Sequence, residues 1–143
     1  MINILDCNAL NLLRDRGIQI RKEHSCYVPD EIEEEFLGNP RHDAWFQSAI
    51  LISPHVDLGM YLAQYANILN RYKDFSFYNL KGLADVAVLA NAAVLLKGGG
   101  INGSLFPEPI RIVTGDEDMR AFAAAEFAQN FSLAYPHEFA DSL

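Results

Sequence analysis

The chain has 143 residues, of which 50% are hydrophobic and 21% are charged, a balance typical of one soluble globular domain spanning residues 1–143. Its two cysteines and scattered histidines argue against a disulfide scaffold and a zinc site, and no apolar run approaches the roughly 18 residues of a membrane span. The net charge of −8 disfavours binding of nucleic acid through Lys and Arg alone, although bound cations would reverse the local sign.

Apolar runs and helical periodicity predict an alternation of strands and helices along the chain. The predicted elements are, in chain order, a strand at 1–5, a helix at 8–16, a strand at 26–28, a helix from 29 to 36 or 37, an ambiguous helix-to-strand region at 43–53, helices at 57–72 and 81–97, a strand at 110–113, a helix at 116–128, a strand at 131–133 and a short C-terminal helix. Strands that alternate with helices imply an α/β fold whose parallel sheet is covered on both faces.

Acidic residues follow two of the predicted strands. Asp6 ends the first apolar run, and Asp116 and Asp118 follow the strand at 110–113. Because the carboxyl ends of parallel strands meet at one edge of a sheet, we expect these carboxylates to converge. Asp6 and Asp116 also fit as N-caps of the helices that follow them, and an aspartate at such a place can both cap a helix and bind metal.

A run of acids from Asp30 to Glu35 opens the second predicted helix. Acidic residues in the first turn of a helix are expected from its dipole, so most of these carboxylates should face solvent. A single one of them is enough to complete a site. Glu35, next to Phe36, is the first choice, and Glu34 is the competing choice.

Asp85 lies in the first or second turn of a helix that is apolar on nearly all sides. A carboxylate inside a buried helix is costly unless it is paired or coordinated. A salt bridge to Lys81 or an interaction with the helix dipole would explain Asp85 without a functional site. The functional interpretation is favoured, and Asp85 is the strongest single clue in the sequence.

Two polar residues beside these acids are candidates for contact with a substrate or a metal-bound water. Asn8 follows Asp6 by two positions, and Thr114 precedes Asp116 by two. Converging carboxylates repel each other strongly unless divalent cations compensate their charge. The residues therefore favour a metal-dependent site.

The order of these pieces resembles the PIN domain, a family of metal-dependent nucleases. The first segment has the pattern hydrophobic-hydrophobic-Asp-x-Asn, the second has a strand and Pro with a Glu six residues later, and the last is similar to Thr-x-Asp-x-Asp. The segments that carry the resemblance are residues 4–10, 28–36, 53–57, 82–90 and 113–118.

The resemblance implies a three-layer α/β/α sandwich with a mostly parallel central sheet in the strand order 3-2-1-4-5. It implies Mg²⁺ or Mn²⁺ as cofactor and hydrolysis of RNA phosphodiester bonds, with Asp118 as an auxiliary metal ligand. The catalytic and metal-binding acids that it implies are Asp6, Glu35, Asp85 and Asp116. Small stand-alone members are often toxins of the VapC group, so RNA and a cognate antitoxin protein are the expected partners. Apolar residues within 43–72 leave a homodimer open.

Two other functions stay open. The low content of Lys and Arg fits a catalytically inert PIN-like module that binds RNA or protein without cutting it. A phosphoaspartate signalling domain shares the α/β class, but it needs a pair of aspartates after the first strand, where this chain has Cys7 and Asn8. No basic stretch precedes the first apolar run, so we expect a cytoplasmic protein without a signal peptide.

Overall fold

A parallel sheet of four strands forms the centre of the molecule, seen in a computed structural model that describes residues 1–36, 42–72, 83–98 and 108–143. The strands are β1 (Ile2–Leu5), β2 (Cys26–Tyr27), β3 (Ile110–Val113) and β4 (Phe131–Ala134). Their order is β2-β1-β3-β4, and all three pairings are parallel. All four residues of β1 are buried, as expected of a central strand covered on both faces.

Seven helices surround this sheet in the described part of the chain. They are α1 (Cys7–Asp15), α2 (Asp30–Glu35), α3 (Ala44–Ser48), α4 (Leu58–Tyr72), α5 (Leu83–Leu96), α6 (Glu117–Glu126) and α7 (Pro136–Ser142). A short 3-10 turn, Lys22–His24, precedes β2. The predicted α/β class and parallel sheet are confirmed. The helix bounds follow the predicted ones closely, although residues 81 and 82 of the helix predicted at 81–97 lie outside the described residues.

Helices cover both faces of the sheet, an arrangement consistent with a three-layer α/β/α sandwich. α1 packs on β1 and against α7, whereas α5 packs on β1 and β3 and against α2, α4 and α6. Crossovers between parallel strands are right-handed in nearly all proteins, and the chain moves along the sheet in opposite directions in the two crossovers, so α1 and α5 are expected on opposite faces. α5 is buried on almost every side, which explains its uniformly apolar sequence. None of the described helices combines the length and the apolar character needed to cross a membrane.

The predicted strand order 3-2-1-4-5 is wrong in strand count and order, since the described residues hold four strands. The difference lies in the edge strand expected just before Pro54. There the N–H of Ile50 donates to the carbonyl of Ile20 at 3.0 Å, and the N–H of Ile52 donates to that of Cys26 at 2.8 Å. β2 is two residues long, and no strand is assigned at residues 49–53. The segment therefore lies along the edge of the sheet without becoming a strand.

Candidate functional site

Four carboxylates from four parts of the fold line one cavity at the carboxyl edge of the sheet. Asp6 follows β1, Asp116 follows β3, Glu35 ends α2, and Asp85 lies in the first turn of α5. The cavity has a volume of about 440 Å³. Its lining residues are Asp6, Cys7, Asn8, Ile32, Glu35, Asp85 and Asp116. None of these described lining residues is Lys or Arg, so the cavity is strongly acidic.

Asp6 and Asp116 are held in place by the helices that they begin. Asp6 Oδ1 accepts a hydrogen bond from the N–H of Ala9 at 2.8 Å, and Asp116 Oδ1 accepts one from the N–H of Met119 at 2.8 Å. Both contacts are N-caps, the structural role that the sequence offered as an alternative. The capping role does not remove these carboxylates from the site, because both also line the cavity.

Thr114 joins these two aspartates from behind the cavity. Its hydroxyl donates to Asp6 Oδ2 at 2.5 Å and accepts from the N–H of Asp116 at 3.1 Å. Thr114 is fully buried and is not among the lining residues, so its position favours orienting Asp6 over the predicted contact with substrate. Asn8, by contrast, is exposed and lines the cavity, where a substrate contact is expected.

The acidic helix α2 brings one glutamate to the cavity. Ile32 is buried and reaches the cavity wall, and Glu35, three residues later, lines the cavity as well. Glu34 is exposed and lies outside the lining. The geometry thus favours Glu35 over Glu34. The thiol of Cys7 donates to the backbone carbonyl of Glu35 at 3.4 Å, which links the end of α2 to the start of α1.

Asp85 is partly buried and surrounded by negative charge. Burial raises the pKa of Asp85 to about 7, and the charges of the other three cavity carboxylates add to this rise. The hydroxyl of Tyr72 donates to Asp85 Oδ2 at 3.4 Å and acts in the opposite direction. Lys81, the alternative partner suggested by the sequence, lies outside the described residues. Asp85 is therefore a carboxyl group whose ionised form needs a compensating positive charge.

The same repulsion acts on Asp6. Burial raises the pKa of Asp6 above its usual value, and the charge of Asp116 adds to the rise, while hydrogen bonds from neighbouring donors oppose it. Burial also raises the pKa of the Cys7 thiol, together with the charges of Glu35 and Asp6. A thiol with a raised pKa is neutral at pH 7 and is a poor metal ligand. The carboxylates are thus better candidates for metal ligands than the thiol.

The donor set suits a hard divalent cation such as Mg²⁺ or Mn²⁺, because it consists of carboxylate oxygens. Asp116 Oδ2 has no hydrogen-bond partner among the described residues and is open to such a contact. In the part of the chain that the structure describes, no three His, Cys, Asp or Glu side chains stand close enough together to hold a metal ion as they are. A cation that keeps several waters, as Mg²⁺ commonly does, would need fewer protein ligands than a closed cage supplies.

Asp118, the auxiliary acid expected from the sequence, is exposed and lies outside the cavity lining. Its charge nevertheless reaches the site: the pKa of Tyr72 is raised by burial and then by the charges of Asp85, Asp116 and Asp118.

Tyr72 and Cys7 are site neighbours that the sequence did not single out as functional. Cys7 could have been identified as a site neighbour because it directly follows Asp6. The only sequence signal at Tyr72 was its place in the apolar periodicity of a helix, which does not indicate a site.

Comparison with known proteins assigns no function to this site. No protein-family model, no curated protein and no solved structure matches the chain. The likeness to the PIN domain accordingly stays an expectation, and its weight lies in the four acids and the cavity that they line.

Proposed function

We propose that the protein is a metal-dependent ribonuclease that hydrolyses RNA phosphodiester bonds in the acidic cavity. The observation that carries the proposal is the placement of Asp6, Glu35, Asp85 and Asp116 around one cavity whose lining has no Lys or Arg among the described residues. Mutually repelling carboxylates of this kind favour Mg²⁺ or Mn²⁺, which take oxygen ligands. The motif order that resembles the PIN domain supports the same activity.

A divalent cation would supply charge to neutralise the phosphate and would lower the pKa of an attacking water. The chain's own contribution is to fix the carboxylates before the substrate arrives. Caps hold Asp6 and Asp116, and the buried helix α5 fixes the position of Asp85. The exposed amide of Asn8 stands at the cavity, where it can donate a hydrogen bond to a phosphate oxygen.

The biological setting of this proposal follows the resemblance to the VapC group. The chain would be the toxin of a toxin–antitoxin pair, acting in the cytoplasm on RNA and neutralised by a cognate antitoxin protein. The net charge of −8 favours a partner with basic residues, because opposite charges would meet at the contact.

The second candidate is a catalytically inert PIN-like module that binds RNA or protein. The observation that favours it is that no three of the described carboxylates lie close enough together to hold a metal ion. For such a module, Asp6→Asn combined with Asp116→Asn should leave the cellular effect unchanged. For the ribonuclease, the same double substitution should abolish that effect.

Cleavage of a mixed RNA pool by purified protein tests the proposal. Cleavage should appear with Mn²⁺ or Mg²⁺ and disappear with EDTA or in Asp85→Asn. The matched control is Asp57→Asn, because Asp57 is an exposed acid that accepts from the N–H of Met60 at the start of α4, outside the cavity. Folded wild-type protein that neither cleaves the pool nor binds Mn²⁺ in calorimetry would overturn the proposal.

A further inference from the structure

Three side chains form a stack after the end of β4, beside the loop that carries Asp116. The Cζ atom of Arg120 lies 3.6 Å from the ring centroid of Tyr135. The rings of Tyr135 and His137 have centroids 5.8 Å apart and an interplanar angle of 23°. The Tyr135 ring thus contacts both the guanidinium of Arg120 and the nearly parallel ring of His137, and His137 is exposed.

Hydrogen bonds hold this stack in a fixed place. Arg120 Nη1 donates to the backbone carbonyl of Thr114 at 3.0 Å, and the hydroxyl of Tyr135 donates to Glu117 Oε1 at 3.1 Å. The N–H of Thr114 donates to the carbonyl of Ala134 at 3.0 Å, which brings the residue after β4 beside the loop after β3. The stack therefore adjoins the loop that carries Asp116.

The acidic cavity needs a source of affinity for RNA other than phosphate neutralisation. Its described lining has no Lys or Arg, and the chain carries a net charge of −8. Unpaired bases bind proteins by stacking on aromatic rings and on guanidinium planes, and this contact needs no excess of positive charge on the protein. The stack beside the Asp116 loop contains both kinds of group, and its exposed member is the aromatic ring of His137.

We infer that Arg120, Tyr135 and His137 form a subsite that stacks an unpaired nucleobase of single-stranded RNA beside the acidic cavity. The substrate class rests on the proposed ribonuclease function, but base stacking at this subsite does not require cleavage. The stacked base selects which neighbouring phosphate of the strand enters the cavity. Base-paired RNA is excluded, because its bases are not free to stack on protein.

Photo-crosslinking of a single-stranded RNA substituted with 5-iodouridine tests the subsite in the full chain. Mass spectrometry should find the crosslink at Tyr135 or His137, and a duplex of the same sequence should not compete for it. His137→Ala should lower the crosslink yield and raise KM about tenfold with a smaller effect on kcat. His137→Phe keeps an aromatic ring and should keep both values. His55→Ala replaces an exposed histidine outside the cavity lining and is the matched control.

The outcomes separate the subsite from the ribonuclease activity. Crosslinks that fall elsewhere, or an unchanged KM in His137→Ala, would overturn the subsite while metal-dependent cleavage still stood. A crosslink at the stack without any cleavage would support the subsite and count against the ribonuclease.

Discussion

Asp85 makes the stability of the folded chain depend on pH. The pKa of Asp85 is about 7 in the folded protein against an ordinary value of 3.8, so the folded state keeps its proton to a higher pH than the unfolded state. Without a divalent cation, stability should therefore fall as pH rises from about 4 to about 7, by about 2–4 kcal/mol across that window. Denaturant unfolding in EDTA at a series of pH values measures this fall.

The Asp85→Asn variant isolates the contribution of that one group. Its free energy of unfolding should vary less with pH than that of the wild type, whereas Asp57→Asn should keep the wild-type dependence. An unchanged dependence in Asp85→Asn would assign the effect to another carboxyl, and Asp6 would be the first to examine, because its pKa is also raised.

The buried hydroxyl of Thr114 gives a second prediction at this scale. Thr114→Val removes the donor to Asp6 Oδ2 and the acceptor for the N–H of Asp116. Loss of buried hydrogen-bond partners should destabilise the fold by about 1–3 kcal/mol and weaken Mn²⁺ binding. Urea unfolding and calorimetry measure the two effects. Thr114→Ser keeps the hydroxyl and should recover most of both, and a Val variant with wild-type values would contradict the orienting role.

At the scale of elements, the sequence predicts helices well because their periodicity is local. The apolar helix α5 and its single acid, Asp85, are visible in the chain without any tertiary information. The ambiguity at 43–53 could not be resolved in this way, because a strand there would depend on pairing with β2, which is a tertiary contact. The choice between Glu34 and Glu35 likewise depends on the rotation of α2, which is set by the burial of Ile32 and not by a run of acids.

The caps of α1 and α6 allow the structural and chemical roles of an aspartate to be separated. Asn caps a helix about as well as Asp but carries no charge. Asp116→Asn should therefore keep the stability of the wild type and lose metal-dependent cleavage. Asp116→Ala should lose cleavage and about 1 kcal/mol of stability. Thermal unfolding and RNA cleavage of both variants decide the matter, and full activity in Asp116→Asn would remove Asp116 from the catalytic set.

For the whole molecule, the net charge of −8 and the cation binding proposed for the acidic cavity should make divalent cations a source of stability. A ligand that binds only the folded state stabilises it by about 2.7 kcal/mol when present at about 100 times its Kd. Saturating Mn²⁺ should therefore raise the Tm measurably, and Asp85→Asn should lose most of the gain. NaCl at equal ionic strength is the control, because an equal rise in NaCl would indicate general screening of surface charge.

Global features of the fold were predictable because they follow from the alternation of strands and helices. Parallel strands bring their carboxyl ends together, so the approach of Asp6 to Asp116 follows from the α/β class itself. The hydroxyl bridge through Thr114 and the stack of Tyr135 on Arg120 could not be predicted, because each depends on side-chain rotamers between elements far apart in the chain.

The capping role of Asp6 and Asp116, beside the role proposed for them in metal binding, affects how these positions would change over evolution. A lineage that lost the proposed activity would still need a capping side chain at both places, with Ser, Thr and Asn as tolerated replacements. Asp85 does not cap any described helix. Its desolvated charge would destabilise a folded protein that has no bound cation. Among descendants of this gene, position 85 would therefore be the first to lose its acid, and its identity would separate chains that keep the proposed activity from chains that have lost it.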